Sequence, residues 1–460
     1  MKNCDIIIIP CENGRRKRRE SIEGEQKTDM DYFSVYQSKL TDVTHALDAV
    51  QSGQTIFPAG VMCEPQSFLD NFHRIVPRLE NAVMHKGRSD REYPFLSLPD
   101  LPEHIQVMGH LYDGPLRKAA EGHNVTHLPS FLHDFMKNQA ETRGIDVFVA
   151  QTTPMDENGR LTVSGCGMWE YEAYENAKIV ILEVNPQLPR FHGSLTVPVE
   201  RADIIYEVNY PVKEFPSTEP TETDRVIGAY AAEFVRDGDC IQLGLGGLPD
   251  LVGRSFLNKN DLGLHTELFT PVMGELIEHG NLTGAKKNID TGLHVTSFVM
   301  GNRPLYDIME KNPAIQFRPA SYTNNPFLIA QIDNMKSLNT AMEIDLTGQI
   351  CSESIGARQY SGTGGAFDFA YGALHSRGGH SIIAMASTAK GGTISKIKPV
   401  LTPGAVVSIS RNAADIIITE YGVAYLCGRS VRERAEQLIN IAHPDFRPEL
   451  RKQARELLYI

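Results

Sequence analysis

A chain of 460 residues, 41% of them hydrophobic, exceeds what one hydrophobic core usually serves, so two domains are expected and wholesale disorder is excluded. The formal charge of -12 argues against a nucleic-acid partner, because phosphate binding needs a basic face. Seven cysteines at positions 4, 11, 63, 166, 240, 351 and 427 form no CxxC and no metal-ligand spacing, which predicts reduced thiols in a cytoplasmic protein without a bound metal.

The chain opens on MKNCDIIIIPC, whose brief apolar patch precedes the basic cluster RRKRR, the reverse of the order in a secretory signal. Arg15 to Asp29 has almost nothing to bury and is expected to be disordered. Met30 starts a more ordinary stretch, MDYFSVYQSKL, so residues 1–29 read either as a dispensable extension or as sequence upstream of the start codon. No apolar run reaches the roughly 18 to 20 residues that a membrane span needs, and the chain is expected to be soluble.

From about residue 40, strand-like apolar segments alternate with longer amphipathic ones: HALDAVQSG then QTIFPAG, later DVFVAQTTP, AKIVILEVN and ADIIYEVN. That alternation predicts an α/β fold with largely parallel sheets, and VFVA and IVIL suit strands covered on both faces. Residues 214–223, EFPSTEPTET, break the pattern with two prolines and a Ser, Thr and Glu cluster, which places a domain boundary there and gives units 30–220 and 221–460. In DRVIGAYAAEFVRDG, Ile227, Tyr230, Ala231 and Phe234 recur at helical spacing, with Thr223 as the expected N-cap and Gly238 as the stop.

Next come the strand CIQLGLG, the turn Gly244-Leu245-Gly246-Gly247, a helix beginning near Pro249, and a second strand, LGLHTELF. If the two strands are parallel neighbours, their C-terminal ends share an edge roughly 5 to 10 Å apart. Glu267 then sits beside the glycine loop, on the edge where open α/β sheets place ligands. A Glu at a strand end is more often solvated or capping, and GLGG is not a full dinucleotide fingerprint, so neither feature alone decides.

Between Asp368 and Asp415 there is no Asp or Glu, while Arg377, Lys390, Lys396, Lys398 and Arg411 all fall there. In so acidic a chain this run would give an anionic ligand a local attractive field, although a chance run in a sheet core would look the same. Ser361-Gly362-Thr363-Gly364-Gly365 before a helix and Lys390-Gly391-Gly392 after the strand SIIAMAST add close backbone approach and a point charge for phosphate. An extended anionic cofactor fits these parts.

Taken together and in order, GLGGLPD (244–250), HTE (265–267), YTNNP (322–326), GQICSESIG (348–356), SGTGG (361–365), STAKGG (387–392), ITEYGVA (418–424) and IAHP (441–444) resemble the acetyl-CoA hydrolase/transferase family. The nearest branch by resemblance is that of 4-hydroxybutyrate and butyryl-CoA:acetate CoA-transferases, over about residue 35 to the end. The resemblance implies two open α/β domains of the CoA-transferase fold with the active site between them, and Glu267 as a nucleophile that passes through a covalent glutamyl-CoA thioester. It further implies a CoA site at Gly244, Leu245, Gly246, Gly247, Leu248, Gly365 and Lys390, with Met342 a weaker match. Coenzyme A is then a substrate with no permanent cofactor, small carboxylates are the partners, and two copies of the chain pair.

The chemistry asked of Glu267 is an ionised carboxylate, donors for a developing oxyanion and exclusion of water, with no metal and no general base. The turns Ala59-Gly60-Val61-Met62 and Gly422-Val423-Ala424 are the expected donors. His265 and His443 read as packing or hydrogen-bonding residues and Cys63 and Cys351 as inert thiols. A hydrolase, in which water resolves the thioester, and a catalytically inactive CoA-binding sensor are the alternatives that the same motifs leave open.

Overall fold

The computed structural model describes residues 31–88, 91–215, 221–244 and 246–460. The expected disorder of residues 1–29 and the predicted cofactor contact at Leu245 lie outside them, as do residues 216–220 of the expected boundary.

Two eight-stranded sheets carry the chain. The first holds β1 (Leu40–Thr41), β2 (Thr55–Pro58), β3 (Ala82–Lys86), β4 (Ile105–Gly109), β5 (Val125–His127), β6 (Ile145–Thr152), β7 (Ala177–Val184) and β8 (Ile204–Glu207), in the order β1-β8-β7-β6-β2-β3-β4-β5. All its neighbours are parallel. The second holds β9 (Cys240–Leu243), β10 (Gly263–His265), β11 (His294–Thr296), β12 (Ile315–Phe317), β13 (Met335–Asn339), β14 (His380–Ala384), β15 (Ile416–Thr419) and β16 (Gly422–Tyr425), in the order β12-β11-β10-β9-β13-β14-β15-β16. Only its last pair is antiparallel.

The apolar runs form strands because both sheet faces are covered. Along β6, Val147 and Val149 enter one core with Ile56, Met84 and Ile181, while Phe148 and Ala150 enter the opposite core with Phe57, Val180 and Leu182. β14 divides its side chains likewise, Ile382 and Ala384 to one face and Ile383 to the other. A period of two with both phases apolar is what a doubly covered strand requires. Truncating a buried ring such as Phe148 to Ala would cost about 3–5 kcal/mol.

The topology repeats. In the first sheet β2 to β5 run outward one way and β6 returns to the other side of β2, while in the second β9 to β12 run one way and β13 returns beside β9. Each reversal opens a crevice at the C-terminal strand ends. Main-chain hydrogen bonds knit the halves together, among them Gly167 N to Ser297 O at 2.8 Å, Val299 N to Gly165 O at 3.1 Å and Ala320 N to Met168 O at 2.9 Å.

Two boundaries differ from the sequence reading. The N-cap of the helix Glu222–Ala232 is Thr221 rather than Thr223, because Thr221 and Asp224 form a reciprocal capping box. That helix stops at Ala232, well before Gly238, whose φ of 82° serves a later turn. No described helix is long and apolar enough to cross a membrane.

Candidate active site

LGLHTELF is not one strand. β10 ends at His265, and Leu268–Phe269 pairs instead with Phe298–Val299 in a separate two-stranded sheet. The neighbouring β11 breaks at the same level, so Glu267 stands in a gap between strand segments. Its carbonyl accepts from Ser297 N at 2.9 Å, Phe298 N at 3.0 Å and Thr296 Oγ1 at 3.1 Å, which fixes the backbone there. β9 and β10 are parallel neighbours, so the break lies on the same edge as Gly244.

The histidine before the break has a structural task. His265 is fully buried, and its Nε2 lies 2.8 Å from the carbonyl of Thr323, which can only accept, so Nε2 bears the proton. Burial pushes its pKa down to about 4, which keeps the ring neutral. The contact anchors the YTNNP segment, and the next residue, Asn324, reaches Glu267.

Asn324 Nδ2 donates to Glu267 Oε2 at 2.8 Å, and the Gly365 N–H also serves this carboxylate. Gly365 caps the helix Ala366–His375, whose N-terminal dipole favours a negative charge. A Cβ at Gly365 would lie 1.8 Å from Oε2 and 2.2 Å from Asn324 Nδ2, so only glycine fits. Burial pushes the Glu267 pKa up to about 7; the Asn324 bond lowers it, nearby Asp368 raises it, and the Gly365 amide lowers it.

That carboxylate lines a cavity of about 410 Å³ bounded by both halves. Val61, Met168, Leu268, Phe298 and Met300 give it an apolar wall beside Glu267. Arg88, Tyr112, Asp113 and Arg117 come from the first half, and Gly244, Asn339, Met342 and Tyr360 from the second. Val61, β-branched and buried, holds a φ of 53° at the first crevice, an expensive conformation in a place where strain is commonly functional.

Comparison with known proteins agrees with this geometry. The acetyl-CoA hydrolase/transferase N-terminal domain pattern matches residues 25–215, and the C-terminal domain pattern matches residues 301–454. The chain belongs to this family. It is 38% identical to a succinyl-CoA:cyclohexane-1-carboxylate CoA transferase of Geobacter metallireducens over 95% of this chain and 99% of the relative. It is 41% identical to a probable butyrate:acetyl-CoA coenzyme A-transferase of Syntrophomonas wolfei, over 92% and 96%. The crystal structure of RipA from Yersinia pestis, 33% identical, superposes with a TM-score of 0.87 over 94% of this chain and 100% of that one. The protein is therefore an enzyme of the CoA-transferase type, with the expected α/β fold.

Of the CoA-transferase residues expected from sequence, Glu267, Gly244, Met342 and Gly365 meet on one cavity, with Gly365 against the carboxylate itself. Gly246, with φ 124°, is the N-cap of the helix Gly247–Arg254, and neither it, Gly247 nor Leu248 lines that cavity. Lys390 stands exposed at a hairpin turn with φ 50°, also off the lining.

The expected donor turns are otherwise occupied. Gly60 N donates to Glu170 Oε1 at 3.1 Å and Val61 N to the Arg88 carbonyl at 3.4 Å, so that turn offers the cavity a side chain rather than those amides. Gly422–Tyr425 is an edge strand paired antiparallel to β15 and does not line the cavity. The groups that contact the carboxylate are Asn324 and the Gly365 N–H; Asn324 lay unremarked inside a quoted motif.

The acid-free run does not supply the cavity's cations either. Arg377 is paired with Asp333 and precedes β14, at the opposite end of the strands from the site. Arg88 and Arg117 supply them, and Arg117 packs its guanidinium 4.2 Å over the Tyr360 ring while donating to the Tyr360 carbonyl at 3.0 Å. Cys63 is buried beside Cys166 and Glu170, and burial pushes its thiol pKa up, as an inert thiol requires.

Proposed function

We propose that the enzyme transfers coenzyme A between small carboxylates through a covalent intermediate on Glu267. The observation that carries this reading is a buried carboxylate, held at Oε2 by Asn324, that lines a cavity at the seam.

Oε1 attacks the thioester carbonyl of an acyl-CoA, the C–S bond breaks, and CoA leaves as a thiolate, giving an acyl-glutamyl anhydride. The thiolate then attacks Cδ of Glu267 and expels the first carboxylate, giving glutamyl-CoA. An acceptor carboxylate attacks Cδ in turn, and the released thiolate takes its acyl group from the new anhydride. In each attack on Cδ the negative charge develops on Oε2, where the Asn324 amide already sits, with the Gly365 N–H beside the carboxylate. Such preorganised donors are worth about 2.7–4 kcal/mol each in the transition state. No metal or general base is called for.

CoA is proposed to lie along Gly244, Leu245, Gly246, Gly247, Leu248, Met342 and Gly365, with Lys390 meeting a more distant phosphate. Binding energy from that remote part drives the thioester toward Oε1. The apolar wall of Val61, Met168, Phe298 and Met300 supports short apolar acyl groups, butyrate and acetate among them, with 4-hydroxybutyrate as the polar variant. The working form is proposed to be a cytoplasmic homodimer.

The test is acyl-CoA turnover with and without acetate, followed by borohydride trapping and mass spectrometry of the Glu267 peptide. Acceptor-dependent turnover and a reducible thioester on Glu267 are expected. CoA release at the same rate without acceptor would make the enzyme a hydrolase, and an unlabelled Glu267 with no turnover would make it a CoA-binding sensor.

A further inference from the structure

One turn beyond Gly365 along its helix lies a second buried carboxylate that the reaction above does not use. Asp368, in the helix's first turn, has a side chain 0% exposed. Its Oδ1 lies 2.8 Å from Nδ1 of His133, a residue of the first half of the chain, and its Oδ2 is buried with no partner among the described residues. Phe131 stacks on Phe367 at 5.0 Å and on the His133 ring at 5.9 Å, which holds the histidine against the helix. Packing alone would put an apolar residue here. Two carboxylates sharing a buried site repel, and a half-satisfied buried acid costs stability.

We propose that His133 and Asp368 form a positioning pair that tunes the charge of Glu267 from the first turn of the glycine-capped helix, without touching substrate. It rests on Glu267 being the nucleophile. Asp368 disfavours the Glu267 carboxylate electrostatically, and the bond to Asp368 raises the pKa of His133 above its ordinary value despite burial. A protonated His133 therefore offsets the Asp368 charge and lets Glu267 ionise. The pair bridges the two halves of the chain. The other charged groups facing these residues are Asp134, next to His133, and Arg88, Arg117 and Asp113 on the cavity wall.

The signs are opposite for the two partners. Activity requires ionised Glu267, so it rises with pH through the Glu267 pKa. Asp368→Asn removes a repelling charge and moves the acid limb of kcat/KM to lower pH. His133→Asn keeps an N–H on Oδ1 but removes the cation, leaves Asp368 uncompensated, and moves the limb to higher pH. Each shift is expected to be about 1 unit, the low end of what a close charge produces.

The experiment is the pH profile of both variants and of Glu267→Gln, with thermal melting at each pH to confirm folding. Single-turnover labelling of Glu267 by acyl-CoA across the same pH range gives a readout free of product release. Opposite shifts in the two variants support the pair. Coincident profiles, or shifts of the same sign, in folded protein overturn it, including the case in which Asp368 simply takes up a proton when His133 is lost. An active Glu267→Gln variant would instead overturn the nucleophile assignment, so the two failures are separable.

Discussion

Glu183 and Glu267 are both buried carboxylates near the C-terminal ends of parallel strands, one in each sheet, and burial pushes both up to about 7. Their surroundings differ. Glu183 accepts from Tyr206 Oη at 2.7 Å, Ser67 N at 3.0 Å, Phe68 N at 3.3 Å, Gln151 Nε2 at 3.4 Å and the Tyr210 hydroxyl, so both oxygens are saturated and it ties strand to helix. Glu267 has one side-chain donor, Asn324 on Oε2, with the Gly365 N–H beside it, and lines a cavity. A raised carboxyl pKa is thus common to a structural acid and to the proposed nucleophile. What separates them is a cavity against the carboxylate and a sparser set of donors.

The largest test of that contrast is Glu267→Gln, expected to lower kcat by roughly 10³-fold or more in initial-rate assays. The same variant sharpens the electrostatic half of the comparison. Because the fold raises the Glu267 pKa from 4.5 to about 7, the wild-type protein loses stability as pH rises through that window. In the Gln variant, denaturant titrations should show that loss diminished. Asn324→Ala removes a donor from Oε2 and is expected to lower kcat by about 10²–10³-fold while moving the acid limb of kcat/KM to higher pH. Gly365→Ala, which must displace the carboxylate, is expected to cost about 10²-fold in kcat and, because overpacking a buried contact costs about 1–3 kcal/mol, to lower the melting temperature too.

On the other side of the comparison, Glu183→Gln places an N–H₂ among donors. It should cost about 1–3 kcal/mol in denaturant unfolding and leave the pH profile of activity in place. A shifted acid limb in that variant would erase the distinction between the two acids. Lys390→Ala, at an exposed turn, is expected to raise KM for acyl-CoA by at most about 5-fold with kcat unchanged, as fits a screened surface charge.

Much of this was legible from residues. Alternating apolar runs announced the α/β fold, because a strand covered on both faces needs apolar side chains in both phases. The neighbouring strands of CIQLGLG and LGLHTELF put Glu267 and Gly244 on one edge, since parallel neighbours end together. The break after His265 was not legible: LGLHTELF has the composition of a single strand, and only the competing pairing with Phe298–Val299 splits it. Within the run without acids, Arg377 precedes its strand and so lies away from the cavity, because a strand's ends lie far apart in space.

The sequence by itself determined the chemistry available, a glutamate at a strand end with glycine loops near it, because local periodicity and residue type are written along the chain. The tertiary structure alone decided which groups act on that glutamate. Asn324, Gly365, Asp368 and His133 lie 57, 98, 101 and 134 positions from it along the chain, and their convergence depends on how two sheets reverse strand order and close on each other. Charge and hydrogen bonding act over a few ångströms of space, whatever the separation in sequence.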